Sequence, residues 1–143
     1  MVGNMEDVTA VMSVQNAYGV AIDRRDWPAL RECFAPLASI AYGRPIRTGS
    51  LDDFMDWAPR FHDPLGPTSH QMSTHLVEVR GDLATASCYL HAVLVNADRK
   101  NAESIFGVYE DELVRTDQGW RISTRAFRAV WHQTAAAPLG PRR

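Results

Sequence analysis

The sequence predicts an α+β fold, a cone-shaped barrel made of a curved, mostly antiparallel sheet wrapped on three N-terminal helices. Three observations predict it. Helix-period patterning is confined to the first part of the chain, up to residue 61. Four long runs rich in β-branched and aromatic residues follow, over 69–80, 83–96, 104–116 and 120–132, each punctuated by turn residues. One short strand interrupts the helical half. Helices segregated from a meandering sheet define the α+β class, and a cone of this kind has an apolar interior where a small molecule would bind.

Each element has its own signal. Residues 5–24 place Val8, Val11, Val14, Tyr18 and Ile22 on one stripe at spacings of three and four. Asp26 is an N-cap for a short second helix, 27–34, with Pro28 in its first turn. "LASIAYGRPIRTG" carries a short strand broken at Gly43 and Pro45. Ser50 caps a third helix, "LDDFMDWAPRF", with acids in its first turn. The strands are joined at Gly81–Asp82, "NADRKN" and "TDQG".

The 143 residues fit one domain, expected over 5–132, with a loosely packed C-terminal tail over 133–143. Hydrophobic residues make up 45% and charged residues 22%, a balance that supports a packed core and argues against global disorder. A net charge of −2 without a basic run argues against nucleic acid and anionic membrane surfaces. No apolar run reaches the length of a membrane span, and the N-terminus lacks the pattern of a secretory signal. Cys33 and Cys88 form no metal or redox motif, so both are expected to be buried, inert thiols in a cytoplasmic protein. The five histidines lack ligand spacing, so no metal is expected. No phosphate loop, serine nucleophile elbow or HExxH is present, and no cofactor is expected.

Asp23 stands out because it puts a carboxylate in a last helical turn, where the dipole opposes it. It is either a solvated surface acid or an acid reaching into the cavity to orient a histidine. His75 is the histidine chosen for that pairing. Strand alternation puts it on one face with Val77 and Val79, where an imidazole is ordinarily a core group but is also the best general base available. His70 falls on the opposite face unless a bulge intervenes. Arg125 alternates onto one face with Phe127, Ala129 and Trp131. It is either an exterior arginine or a cation inside an aromatic cavity, suited to a carboxylate or a developing oxyanion. Tyr18 and Tyr42 are the polar aromatics of the helical half and can donate to a substrate oxygen. Phe54, Trp57, Phe61, Tyr109, Phe127 and Trp131 are candidate wall residues, although for each taken alone plain core packing is the favoured reading.

Three segments together resemble a known family. They are "AIDRRDWPALRECFAP…IAYG", "STHLVEVRGDLATASCYLHAVL" and "GVYEDELVRTDQGWRISTRAF". In this order they are similar to the SnoaL-like branch of the nuclear transport factor 2-like superfamily, of cystatin-like fold. Scytalone dehydratase, the bile-acid dehydratases and lindane dehydrochlorinase are members. The resemblance covers about residues 8–132. It implies that Asp23 orients His75 within the cone, that His75 takes a proton from carbon, and that Tyr18, Tyr42 and Arg125 complete the constellation. Ile22 stands where scytalone dehydratase has a tyrosine, and Tyr18 where the dehydrochlorinase has a lysine. Both differences argue against those two substrates.

The leading expectation is a cofactor-independent lyase, dehydratase-like, acting on a small, mostly apolar cyclic substrate such as a steroid or polyketide. An isomerase or cyclase using the same pair is the alternative, as is a non-catalytic binding module. The deciding geometry is a hydrogen bond between Asp23 and His75, since its absence removes the basis for the lyase. Relatives assemble through the outer sheet face, and Tyr89, His91 and Val93 share one face, so a homo-oligomer, dimer or trimer, is expected.

Overall fold

A computed structural model describes residues 4–136. Helix α1, Met5–Asp23, starts at Asn4, whose side chain accepts from the Asp7 amide at 2.8 Å. Helix α2, Trp27–Glu32, is capped by Asp26, which accepts from the Ala29 amide. It ends two residues earlier than predicted, because Phe34 already begins a strand. Helix α3, Leu51–His62, opens with a reciprocal capping box between Ser50 and Asp53.

Six strands follow the order β2-β1-β6-β5-β4-β3. They are β1 (Phe34–Tyr42), β2 (Arg47–Ser50), β3 (Thr68–Arg80), β4 (Leu83–Val95), β5 (Asn101–Thr116) and β6 (Gly119–Ala136). All neighbours are antiparallel except β1 and β6, which run parallel. The sheet is mixed and curls around the helices without closing, leaving β2 and β3 as its two edges. This is the predicted α+β cone with one strand more, since the short strand folds into the β1–β2 hairpin.

The core lies between α1, α3 and the concave face. Val11, Tyr18 and Ile22 of the predicted stripe are buried, and so is Gln15 beside them. Leu90, Leu94, Leu113 and Ile122 line the sheet side. Both cysteines are buried, and burial pushes each thiol up to about 11. Gln133–Ala136 belong to β6 rather than to a tail, and residues 137–143 of the predicted tail lie outside the described residues. No described helix is long and apolar enough to cross a membrane.

Three bulges decide which side chains face inward. In β3, Ser73 pairs with Tyr89 and Leu76 with Ser87, so Thr74 and His75 together oppose one residue of β4. Thr74 takes the left-handed conformation that makes this possible, with φ 54°. In β6, Ile122 and Thr124 lie opposite successive residues of β5, which inserts Ser123. Val130 is inserted in the same way between Ala129 and Trp131.

Candidate active site

A cavity of about 280 Å³ opens between α1, α3 and the concave face of the sheet. Apolar walls come from Trp57 and Phe61 of α3 and from Leu90, Leu94, Ile105 and Phe127 of the sheet. Tyr18, Tyr42 and Tyr109 bring three phenols to the lining, and His62 and His70 bring two imidazoles. Arg44 and His132 stand at the lining's β1–β2 side.

Asp23 does leave the helix end for a histidine, but the histidine is His70. The His70 Nδ1 lies 2.7 Å from Asp23 Oδ1, and the His70 amide donates to Asp23 Oδ2 at 2.8 Å. Thr68 Oγ1 donates to Asp23 Oδ1 at 2.9 Å. A carboxylate partner places a proton on Nδ1, so in the neutral ring Nε2 is the nitrogen with a free lone pair, on a ring that lines the cavity. Burial alone would raise the Asp23 carboxyl. The hydrogen bonds from the His70 ring and amide and from Thr68 outweigh it, so Asp23 titrates below the usual carboxylate range. Gly19 makes the approach possible: a Cβ there would sit 3.1 Å from the His70 carbonyl oxygen and 3.2 Å from its Cβ.

The predicted Asp23–His75 pair is therefore corrected. His75 also points inward, because the bulge at Thr74 returns it to the same face as His70. It sits outside the cavity lining and its Nδ1 meets Gln15 Oε1 at 2.7 Å. Gln15 Nε2 in turn donates to Asp111 Oδ2 at 2.9 Å, which fixes the amide's orientation and makes His75 Nδ1 the donor. Burial lowers the His75 pKa.

Arg125 is also corrected as a cavity cation. Its Nε and Nη2 each donate to Asp111 at 2.7 Å, and both side chains are fully buried beneath the cavity. Its guanidinium lies 4.2 Å from the Tyr18 ring centre and 4.0 Å from that of Tyr109. Arg125 thus supports two phenol-bearing walls and presents no free charge to a ligand. Burial raises the pKa of both phenols, keeping them protonated as donors.

Of the six predicted wall residues, Trp57, Phe61, Tyr109 and Phe127 line the cavity. Phe54 does not. It is 1% exposed and packs behind Tyr18, Tyr42 and Trp57. Trp131 does not either, because the extra residue Val130 turns it outward and puts His132 in its place. His62, which its place at the end of the third helix suggested for a cavity mouth, does line the cavity; it is nearly fully buried and donates from Nδ1 to the Ala58 carbonyl at 2.8 Å. Sequence reasoning missed Arg44. It pairs with Glu103 at 2.8 Å, and its Nη1 lies 2.9 Å from His132 Nε2. The "GRP" turn marked its position as a break, and nothing in the local pattern aimed it at a cavity.

The SnoaL-like domain model matches residues 3–126. The chain belongs to the SnoaL-like family. An uncharacterized protein of Mycobacterium tuberculosis (strain ATCC 25618 / H37Rv) is 28% identical over 127 residues, covering 87% of this chain and 86% of the relative. Among solved structures, a hexachlorocyclohexane dehydrochlorinase of type 2 superposes with a TM-score of 0.81 at 18% identity, over 93% of this SnoaL-like chain and 92% of the other. A candidate scytalone dehydratase from Novosphingobium aromaticivorans DSM 12444 gives a TM-score of 0.80 at 19% identity, over 97% and 100%. At these identities the likeness is one of fold.

Proposed function

We propose that this SnoaL-like protein is a cofactor-independent lyase in which His70, held by Asp23, removes a proton from carbon. The single observation that carries the proposal is the 2.7 Å Asp23–His70 contact on a ring that lines the cavity. Asp23 fixes the tautomer and stabilises the imidazolium that forms, as the acid of a catalytic triad does. The basis for a lyase built on His75 is gone; the reading stands instead on the histidine five residues earlier. Tyr18, Tyr42 and Tyr109 supply phenolic hydrogen bonds to an oxygen leaving group or to a carbonyl whose negative charge grows in the transition state.

The lining also bears on the substrate. Among the described residues its one arginine is Arg44, which is neutralised by Glu103. Arg125 is neutralised by Asp111. Among the described residues no unpaired arginine or lysine of the lining awaits a carboxylate or phosphate, which supports an uncharged, mostly apolar ring compound of steroid or polyketide type bearing oxygen substituents. Dehydratase and dehydrochlorinase names among the structural neighbours agree with elimination as the reaction class.

The test is a screen of uncharged hydroxylated or carbonyl-bearing ring compounds, followed by His70→Ala and His75→Ala. Loss of turnover by about two to four orders of magnitude is expected for His70→Ala, with much less change for His75→Ala. Turnover surviving His70→Ala would remove the mechanism. Release of water identifies a dehydratase, whereas a product of unchanged mass identifies an isomerase or cyclase using the same pair.

A further inference from the structure

We propose that Arg25 and Thr68 are positioning residues for the Asp23–His70 pair, acting as a hydrogen-bond relay that aims the Asp23 carboxylate. The inference rests on reading that pair as the acid–base centre. It starts from the backbone. Helix α1 ends in a Schellman turn, in which the Asp26 amide donates to the Ala21 carbonyl at 2.9 Å and the Arg25 amide to the Ile22 carbonyl at 3.0 Å. Arg25 occupies the left-handed position of this turn, with φ 56°. Glycine adopts that conformation freely, and a long side chain adopts it at a cost.

The Arg25 side chain accounts for its presence. Nη1 donates to the Ile22 carbonyl at 2.9 Å and to Thr68 Oγ1 at 2.8 Å, and Nη2 donates to the Gly66 carbonyl at 2.9 Å. One guanidinium thus ties the end of α1 to the segment that leads into β3. It also fixes a proton. A guanidinium has donors only, so Thr68 Oγ1 must accept from it. The single hydroxyl hydrogen of Thr68 is then left for Asp23 Oδ1, where the 2.9 Å contact is found. Asp23 receives three directed bonds, and the one that neither titrates nor belongs to the His70 residue is set by Arg25. The ionisable groups facing Asp23 are His70 from β3, His62 from α3, whose ring centre lies 5.9 Å from that of His70, and Arg25 itself.

The test needs no substrate. Isotope-labelled full-length protein is titrated by NMR, following the Asp23 carboxyl carbon and the His70 Nδ1 proton, in Thr68→Val, Thr68→Ser and Arg25→Gly. Thr68→Val changes neither charge nor shape and removes only the hydroxyl. The Asp23 midpoint is expected to rise by about half a pH unit or more, and the Nδ1 proton signal to broaden as the ring gains freedom. Thr68→Ser should restore both. Arg25→Gly keeps the turn without strain but should reproduce the Thr68→Val result. Once a substrate is known, both defective variants should lose kcat by about tenfold to a hundredfold with KM little changed. An unchanged Asp23 midpoint and Nδ1 signal in Thr68→Val would overturn the relay. A normal signal in Arg25→Gly would confine Arg25 to a role in the turn and overturn its part. If Arg25→Gly does not fold, the Thr68 pair alone decides. If the relay holds while His70→Ala remains active, positioning stands and the lyase reading falls.

Discussion

Arg125 and Asp111 form two 2.7 Å bonds with no exposed side-chain surface on either partner. Burial by itself would lower the arginine's pKa, but the facing carboxylate outweighs it and raises it, so the guanidinium is charged at every accessible pH. A buried pair of this kind adds little over a well-packed apolar pair, yet breaking it leaves an uncompensated charge in the interior. Its Nη1 already lacks a hydrogen-bond partner among the described residues, which leaves no alternative acceptor in reserve. Asp111→Asn keeps the shape and removes the charge. It is expected to cost about 3–5 kcal/mol in urea-induced unfolding at pH 7. The double change Asp111→Leu with Arg125→Met should recover only part of that loss, because buried Gln15 Nε2 then lacks its acceptor; adding Gln15→Leu should recover more. A cost under about 1 kcal/mol for the single change would mean that the phenol rings of Tyr18 and Tyr109 suffice to hold the cation.

At the scale of the elements, the β-bulge is what separates the pattern in the sequence from the placement of the site. Strict alternation sends His70 and His75 to opposite faces, and with a residue inserted at Thr74 both face inward. The same error recurs in β6, where alternation groups Arg125, Phe127, Ala129 and Trp131. Arg125, Phe127 and Ala129 do share the inner face, and the insertion of Val130 then exchanges Trp131 for His132. Element types and order were legible because they depend on period and on caps such as Asp26 and Ser50, which are local. Bulges were not, since Thr74 and Val130 are ordinary strand residues whose irregularity is imposed by the neighbouring strands. The identity of Asp23 as an unusual acid was legible, and its partner was not. Thr74 supplies a direct test. A β-branched residue at φ 54° is strained, and the residue is exposed. Thr74→Gly is expected to stabilise the fold by about 1 kcal/mol, read as a higher urea midpoint with unchanged slope. A loss of stability instead would show that the threonine side chain makes the bulge rather than tolerating it.

At the scale of the whole molecule, packing three helices into an open, curled sheet leaves one polar imidazole deep in an aromatic shell, and this sets how the fold responds to acid. His62 is 4% exposed, with Trp57, Phe61 and His70 around it. Burial is the main cause that lowers its pKa from 6.5 to about 4, against the opposing hydrogen bond to Ala58. The unfolded chain therefore binds a proton at His62 that the folded chain refuses between those two values, and stability must fall as pH drops through that window. The stabilisation is fully present above 6.5 and has been lost below about 4. Between pH 7 and pH 5 the expected loss from this residue is about 2 kcal/mol. His75, lowered by burial too, acts in the same direction, whereas Asp23, lowered by its hydrogen bonds, withdraws its contribution only below the ordinary carboxylate range. His62→Phe matches the aromatic surroundings and cannot titrate. Urea unfolding of both proteins at pH 7 and pH 5 should show the wild type losing about 2 kcal/mol more than the variant over that interval. Equal losses in the two proteins would mean that His62 is reached by water and protonated without unfolding, and that this end of the cavity opens to solvent on acidification.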